Sequence, residues 1–242
     1  MSEKIRVTVW NEFRHEKTEE AARAIYPEGI HGAIGAFLSK NSDMEVRLAA
    51  LDDPGQGLPD EILNSTDVLL WWGHMHHGEV KDELVERIRR RVYVDGMGFI
   101  ALHSAHHSKP FRALVGATGN LLWGDEQKEI VWNILPSHPI AAGVPQHFTL
   151  PEEELYAEPF QIPRPDAHIF EGWYEHGYVF RTGVTFLRGA GKIFYFQPGH
   201  ETCPSYHNET VQRIITNAVR WAKPADFGYK VDPGAPWVPP IA

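Results

Sequence analysis

The sequence predicts an α/β fold on a mostly parallel sheet, with an antiparallel β extension. Three observations carry this. Continuous apolar runs of strand length, such as Val68–Trp72 and Phe99–Leu102, alternate with segments of helical periodicity. From Ile130 the texture changes to short β segments separated by Gly and Pro turns. The strand Phe99–Leu102 runs straight into His103, with Ala101 and Ala105 two positions to either side. Small residues in those places mark a nucleophile elbow, a tight strand-to-helix turn whose backbone folds back on itself. Imidazole at its tip points to a metal ligand or a general base rather than to an acyl-enzyme nucleophile.

The elements follow in order. Ile5–Trp10 is a β-branched run suited to the middle of a parallel sheet, and Asn11–His15 is a loop. Helical pattern begins near Thr18, breaks at Pro27–Gly29 and resumes over His31–Lys40. Glu45–Ala50 reads as a strand, Asp53–Pro59 as a loop and Val68–Trp72 as a third strand. Leu84, Ile88 and Val92 recur every fourth residue, marking an amphipathic helix that ends before Asp95-Gly96. After the elbow, Ile130–Leu135, His168–Trp173, Tyr178–Phe180 and Thr185–Arg188 read as an extension or insert rather than a second domain. Lys192–Gln197 returns to a core strand. Asn208 is placed to cap the last helix, which carries Val211, Ile214, Ile215, Ala218 and Val219 on one face. The chain, residues 1–242, is read as one domain with a core over about 4–223. A Pro-rich tail, 224–242, is expected to wrap along a surface or a partner.

Composition bounds the function. With 43% hydrophobic and 23% charged residues, neither disorder nor a membrane span is favoured. Apolar runs of about five residues fall far short of the ~20 that cross a bilayer. The N-terminal residues enter a strand directly, without the basic and apolar regions of a secretory signal. A single cysteine, Cys203, excludes an intrachain disulfide and fits a reducing cytoplasm. The net charge of −9, with no Lys/Arg patch interleaved with aromatics, argues against nucleic acid as a partner. The basic run Arg87–Arg91 reads as a solvated helix face. The tail and the 8 Trp suggest a homo-oligomer.

Histidine is the unusual component: half of the 14 lie in three short stretches. These are His74, His76 and His77; His103, His106 and His107; and His200 with Glu201. Each stretch lies just past the C-terminal end of a predicted parallel strand, and His15 follows the first strand. Ligands of open α/β sheets bind outside those ends. Imidazole suits Zn²⁺ and similar divalent transition metals, and a catalytic site commonly takes three protein ligands and leaves a position for water. The candidate metal ligands are His74, His77, His103, His106 and His200. His76 and His107 each have a neighbour competing for the same place. For His31, His138, His147, His168, His176 and His207 a surface or satisfied core position suffices.

Glu201 is the carboxylate that can orient an imidazole, ligate, or act as a base toward a bound water. His103, His200 and Glu201 are the expected catalytic residues; His15, Trp72 and Ser104 are assigned to substrate binding. Trp71, Trp72, Trp123 and Trp173 can offer flat faces to sugar rings or fill the core. Ser104 and Cys203 are the alternative nucleophiles. Leu102 and His106 occupy the places where an elbow at Ser104 needs small residues, and Cys203 lies in a Pro-flanked loop with no elbow before it.

The run Val68-Leu-Leu-Trp-Trp-Gly-His74, the elbow Gly96-Met-Gly-Phe-Ile-Ala-Leu-His-Ser-Ala-His106, and Gly191-Lys-Ile-Phe-Tyr-Phe-Gln-Pro-Gly-His-Glu-Thr-x-Pro-x-Tyr206 resemble the trehalose-utilisation (ThuA-like) family. Asn217-Ala-Val-Arg-Trp221 closes a match that covers about residues 4–223. The resemblance implies a class I glutamine amidotransferase-like fold, a flavodoxin-like three-layer sandwich. In amidotransferases the elbow holds Cys, and a His and an acidic residue follow the last core strand. Here His103 stands in place of that Cys, and His200 falls near the catalytic His. Without the thiolate the fold is inherited and glutamine hydrolysis is not. The expected function is utilisation of trehalose or a related disaccharide. The expected agent is a cytoplasmic, Zn²⁺- or other metal-dependent hydrolase or isomerase acting on a sugar or oxidised sugar. Competing readings are a non-catalytic sugar-binding or regulatory module on the same fold, and a metal-independent hydrolase using Ser104.

Overall fold

Val68–Trp72 shows how the centre of the molecule is made. All five residues are buried; Val68, Leu70 and Trp72 join one hydrophobic cluster, Leu69 and Trp71 the other. Successive side chains of a strand point to opposite faces, so a run that is apolar throughout needs cover on both. A computed structural model describes residues 4–225 and supplies that cover; the Pro-rich tail beyond 225 lies outside the described residues.

The chain runs β1 (Ile5–Asn11), α1 (His15–Thr18), α2 (Glu20–Ile25), α3 (Gly29–Leu38), β2 (Met44–Ala50), α4 (Asp60–Asn64), β3 (Val68–Trp72), α5 (Asp82–Tyr93), β4 (Gly98–Leu102) and α6 (Lys109–Val115). It continues through β5 (Leu122–Asn133), β6 (His147–Ala157), β7 (Ala167–Tyr174), β8 (Val179–Arg188), β9 (Gly191–Phe196) and α7 (Glu209–Ala222). On one face α3 and α7 bring Ile30, Ile34, Val211 and Ile214 against Val7, Leu70, Ile100 and Phe194. On the other, α5 and α6 bring Leu84, Ile88, Phe111 and Leu114 against Leu69, Phe99 and Ile193. Each such side chain, fully buried, contributes roughly 1.5–3 kcal/mol. Trp10 and its register partner Trp71 stack with ring centroids 3.7 Å apart. Helix α7 starts as expected: the Asn208 side chain accepts from Thr210 N and Val211 N.

The nine strands form one sheet in the order β2-β1-β3-β4-β9-β8-β7-β5-β6. Its first five strands are parallel and follow the flavodoxin-like order, in which ligands bind at the carboxyl ends. The expectation of a mostly parallel sheet is overturned. The pairings from β9 to β6 are all antiparallel, and β5, β6, β7 and β8 are 8 to 12 residues long against 5 to 7 for β1, β2, β3, β4 and β9. Beyond α6 the chain adds neighbours by antiparallel return, which needs no crossover helix. Sequence patterning missed β6 altogether, because Pro151 and Glu152–Glu154 break any alternation. It also split β8 in two and passed over α4 and α6. His15 belongs to α1 rather than to a loop.

Strand β4 packs tightly on the last turn of α7. A Cβ on Gly98 would fall inside van der Waals distance of the Ala222 carbonyl oxygen and Cβ, both on backbone that cannot swing away. Gly98→Ala is expected to lower stability by roughly 1–3 kcal/mol, the usual cost of overpacking, measured by urea unfolding. Unchanged stability would refute the close β4–α7 contact.

Candidate active site

The elbow forms as the small residues require. Ala101 and Ala105 are fully buried, and His103 takes a left-handed backbone with φ +52°. A non-glycine residue held there costs roughly 1–3 kcal/mol, so the surrounding packing must impose it. The His103 ring is fully buried and stacked on Tyr156, with centroids 5.2 Å apart. Its Nδ1–H donates to the Gln197 carbonyl at 3.0 Å. That bond fixes the proton on Nδ1 and leaves Nε2 facing Glu154 Oε2 at 3.0 Å. Neither of these two buried atoms has a hydrogen bond of good geometry.

Two loops complete the site. The loop after β3 carries His74, whose Nδ1–H donates to Glu201 at 2.8 and 2.9 Å to its two oxygens. The loop after β9 carries His200 and Glu201. His200 Nδ1 lies 2.6 Å from Thr202 Oγ1, which donates onward to Glu126 at 2.9 Å. His74 and His103 are therefore held through Nδ1–H by a carboxylate and a carbonyl, the support that orients metal-ligating histidines, while His200 Nδ1 is fixed by the Thr202 hydroxyl and accepts from Thr202 N at 3.3 Å. Their ring centroids form a triangle with sides of 5.2, 5.3 and 5.9 Å. Ligand atoms of His74, Glu154 and His200 lie within 4.8 Å of one another, as do those of His103, His200 and Glu201, and of His15, His74 and Glu201.

The environment pushes neighbouring groups apart. Burial disfavours a charged His103, but the carboxylates of Glu154, Glu153 and Glu201 outweigh it and raise its pKa. His15 is raised in the same way, against burial, by Glu12, Glu201 and Glu19. Burial and the neighbouring His103 lower His200 to about 4, so it is neutral at pH 7 and free to ligate. Glu201 is brought down to about 2: burial opposes ionisation, and His74, His200 and His15 overcome it. Adjacent acids and bases separated in this manner are a mark of functional sites.

The remaining candidates fall elsewhere. His77 and His106 are outside these ligand groups. His106 Nδ1–H donates to the Gly119 carbonyl at 2.7 Å, and its ring meets Tyr156, Phe160 and Tyr195 edge-on. Burial, the first cause in both, lowers His77 to about 4 and His106 well below its ordinary value. Trp72 is fully buried and its indole N–H donates to the Gly199 carbonyl at 2.9 Å, so it braces the His200 loop and does not face a substrate. His15 lies with Nε2 3.5 Å from Glu201. The Ser104 hydroxyl bonds Tyr156 OH at 2.8 Å rather than an imidazole, which gives a Ser104 nucleophile no base. Beside the site opens a cavity of about 290 Å³ walled by Met75, Ser104, His106, Trp123, Glu154 and Tyr156. Trp123 stands at its mouth, 74% exposed. Sequence reading missed Glu154, Tyr156, Glu153 and Glu12. Glu12 follows the end of β1, and the strand-end rule that singled out His15 reaches it as well.

The ordinary carboxyl pKa of 4.5 drops to about 2 for buried Glu201, which is worth roughly 3 kcal/mol to the folded state. A lowered folded-state pKa contributes above the unfolded value and is lost as pH falls through the folded one. In chelator, Glu201→Gln is expected to be less stable than the wild type by roughly 3 kcal/mol near pH 7, with the gap closing between about pH 4.5 and 2. Urea unfolding across that range measures it; a gap independent of pH would exclude the charge as its source.

Known proteins give this geometry a family. Among solved structures, a ThuA-like protein from Parabacteroides merdae ATCC 43184 aligns with TM-score 0.70 and 14% identity, over 97% of this chain and 95% of that one. A ThuA-like protein from Bacteroides uniformis ATCC 8492 aligns at 0.61 with 17% identity over 91% of each chain. A cytoplasmic protein from Salmonella typhimurium aligns at 0.60 with 12% identity, over 90% of this chain and 99% of that one. At such identities the likeness is one of fold. No curated protein sequence matches the chain. The model of the family described as trehalose utilisation matches residues 6–222, nearly all of the described structure. On that match the chain belongs to the ThuA, trehalose-utilisation, family.

Proposed function

We propose that the chain is a metal-dependent enzyme of carbohydrate utilisation that acts on a sugar or an oxidised sugar derivative, in the cytoplasm. One observation carries the metal: His103 Nε2 and Glu154 Oε2, both buried and without hydrogen-bond geometry, face each other at 3.0 Å. With Nδ1–H committed to Gln197, a neutral His103 sets one lone pair against another. A proton on Nε2 relieves this in the metal-free protein, and a divalent transition metal, Zn²⁺ foremost, would take its place between the two atoms. His74, His103 and His200 with Glu154 are the residues that would hold the ion. When bound, it supplies Lewis-acid polarisation of a carbonyl or a lowered pKa for water.

The chain's own groups do the rest. Glu201, ionised between three imidazoles, takes the His74 Nδ1–H on its carboxylate and so sets the orientation of that ring. Trp123 offers a flat apolar face for the C–H side of a sugar ring. Ser104, His106 and Tyr156 present polar atoms to hydroxyl groups. Neither Lys nor Arg lines the cavity, which suits an uncharged polyol over a phosphorylated one. Hydrolysis and isomerisation both fit this set. Glutamine hydrolysis does not, because His103 occupies the place of the amidotransferase thiol. The family's description supports the sugar, and the buried thiol of Cys203, together with the cytoplasmic Salmonella neighbour, supports the compartment.

Elemental analysis of tag-free protein tests the reading. A transition metal near one equivalent is expected in the wild type and in His77→Ala, and its loss in His103→Ala and in His200→Ala. Wild-type protein free of metal, with ligand binding and thermal stability untouched by chelator, would overturn it in favour of a sugar-binding module.

A further inference from the structure

Two buried carboxylates take no part in that chemistry, yet each gathers backbone N–H groups from one histidine loop. Glu153, fully buried on β6, accepts from Glu154 N and His200 N on Oε1, both at 3.1 Å. Its Oε2 accepts from Gly199 N at 2.8 Å and from the Ser205 hydroxyl at 2.5 Å. Glu12, just past β1, accepts from Met75 N at 3.0 Å and from His76 N at 3.1 Å, one on each oxygen. Its Oε1 also lies 3.3 Å from His15 Nδ1.

We infer that Glu12 and Glu153 are positioning residues that set His74 and His200 against His103 and Glu154. The functional meaning rests on the metal-centre reading; the contacts themselves do not.

Neither loop has a ladder to satisfy its backbone. Residues 197–204 lie between β9 and a short 3-10 turn at Ser205–His207, without regular structure. Their buried N–H groups must find acceptors elsewhere, and Glu153 supplies them. Gly199, at φ +133°, would drive any Cβ into the Tyr206 hydroxyl, so only glycine fits at this point of the loop. Four donors fill the lone-pair sites of one carboxylate. An amide at 153 would turn an NH₂ donor toward two other donors, a mismatch that isosteric shape does not relieve.

Strand β6 is also specially built at this point. Glu126 and Gln127 of β5 oppose Glu154 and Glu153, and the β5–β6 register shifts on both sides of that pair. Bulges re-aim side chains beside active sites. Here the chain buries two consecutive glutamates, one toward His103 and one toward the His200 loop. A single rigid strand thereby measures the distance between two candidate ligands. Glu12 does the same for the His74 loop from β1.

Co²⁺ serves as the probe, because its visible absorption reports ligand geometry independently of stability. Glu153→Gln and Glu12→Gln are each expected to weaken Co²⁺ binding about 10- to 100-fold and to alter the band shape, as loss of supporting partners does. Ser205→Ala, which removes one donor of four, is expected to weaken binding by less. Glu129→Gln, at another fully buried carboxylate whose partner is the Thr182 hydroxyl, is expected to change neither quantity. Folded Glu153→Gln and Glu12→Gln with wild-type affinity and spectrum would overturn the inference. Should Glu153→Gln fail to fold, Glu12→Gln and Ser205→Ala decide it by the same readouts. If the wild type binds no Co²⁺, the metal reading falls and amide hydrogen exchange decides the positioning role. Gly199 and His200 must then lose protection in Glu153→Gln, and Met75 and His76 in Glu12→Gln, each loop alone; retained protection refutes it.

Discussion

The contact between His103 and Glu154 is the one on which the site depends. β6 stands five places from β4 in the sheet order. Neighbouring strands are spaced by about 4.8 Å, so a flat sheet would hold them roughly 24 Å apart. Glu154 nevertheless reaches His103 at 3.0 Å. The antiparallel strands must therefore turn back over the carboxyl ends of the parallel ones. The parallel half supplies the elbow and the histidine loops, and the extension supplies the acids and the stacked Tyr156 that enclose them. Neither half contains the site by itself.

Electrostatic balance follows from that enclosure. Glu12, Glu153, Glu154 and Glu201 share a small buried volume with His15, His74, His103 and His200. Isolated charges in such surroundings cost several kcal/mol each, so every carboxylate has to find imidazole or N–H donors. His103 holds its charge more readily than an ordinary histidine, and His200 beside it gives its charge up. Two imidazoles with centroids 5.3 Å apart thus play different parts because of their neighbours, not their chemistry.

What could be read in the sequence was whatever one strand end specifies locally. The five-residue run of β3, the alanines around His103 and the apolar face of α7 are short-range patterns, and the structure contains each of them. His74, His103 and His200 came into view through a topological rule about strand ends. Spacing within a loop does not say which way a side chain turns, so His77 and His106 were grouped with His74, His103 and His200 as candidate ligands. Trp72 was assigned to substrate binding although period two already places it with Val68 and Leu70 in the core. Glu153 and Glu154 were not legible, because a Pro-interrupted run of glutamates looks like a surface loop until β5 pairs with it.

The left-handed backbone at His103 has a consequence for how this chain can change. Glycine would relax that conformation at no steric cost, and asparagine at little. Either would also leave the buried Glu154 carboxylate and the Gln197 carbonyl without their imidazole partner, which costs more than the strain it relieves. The strain at the elbow is therefore held in place by the partners of the ring, and relaxing the backbone there loosens the site with it. Stabilised variants of this protein are best sought far from residue 103.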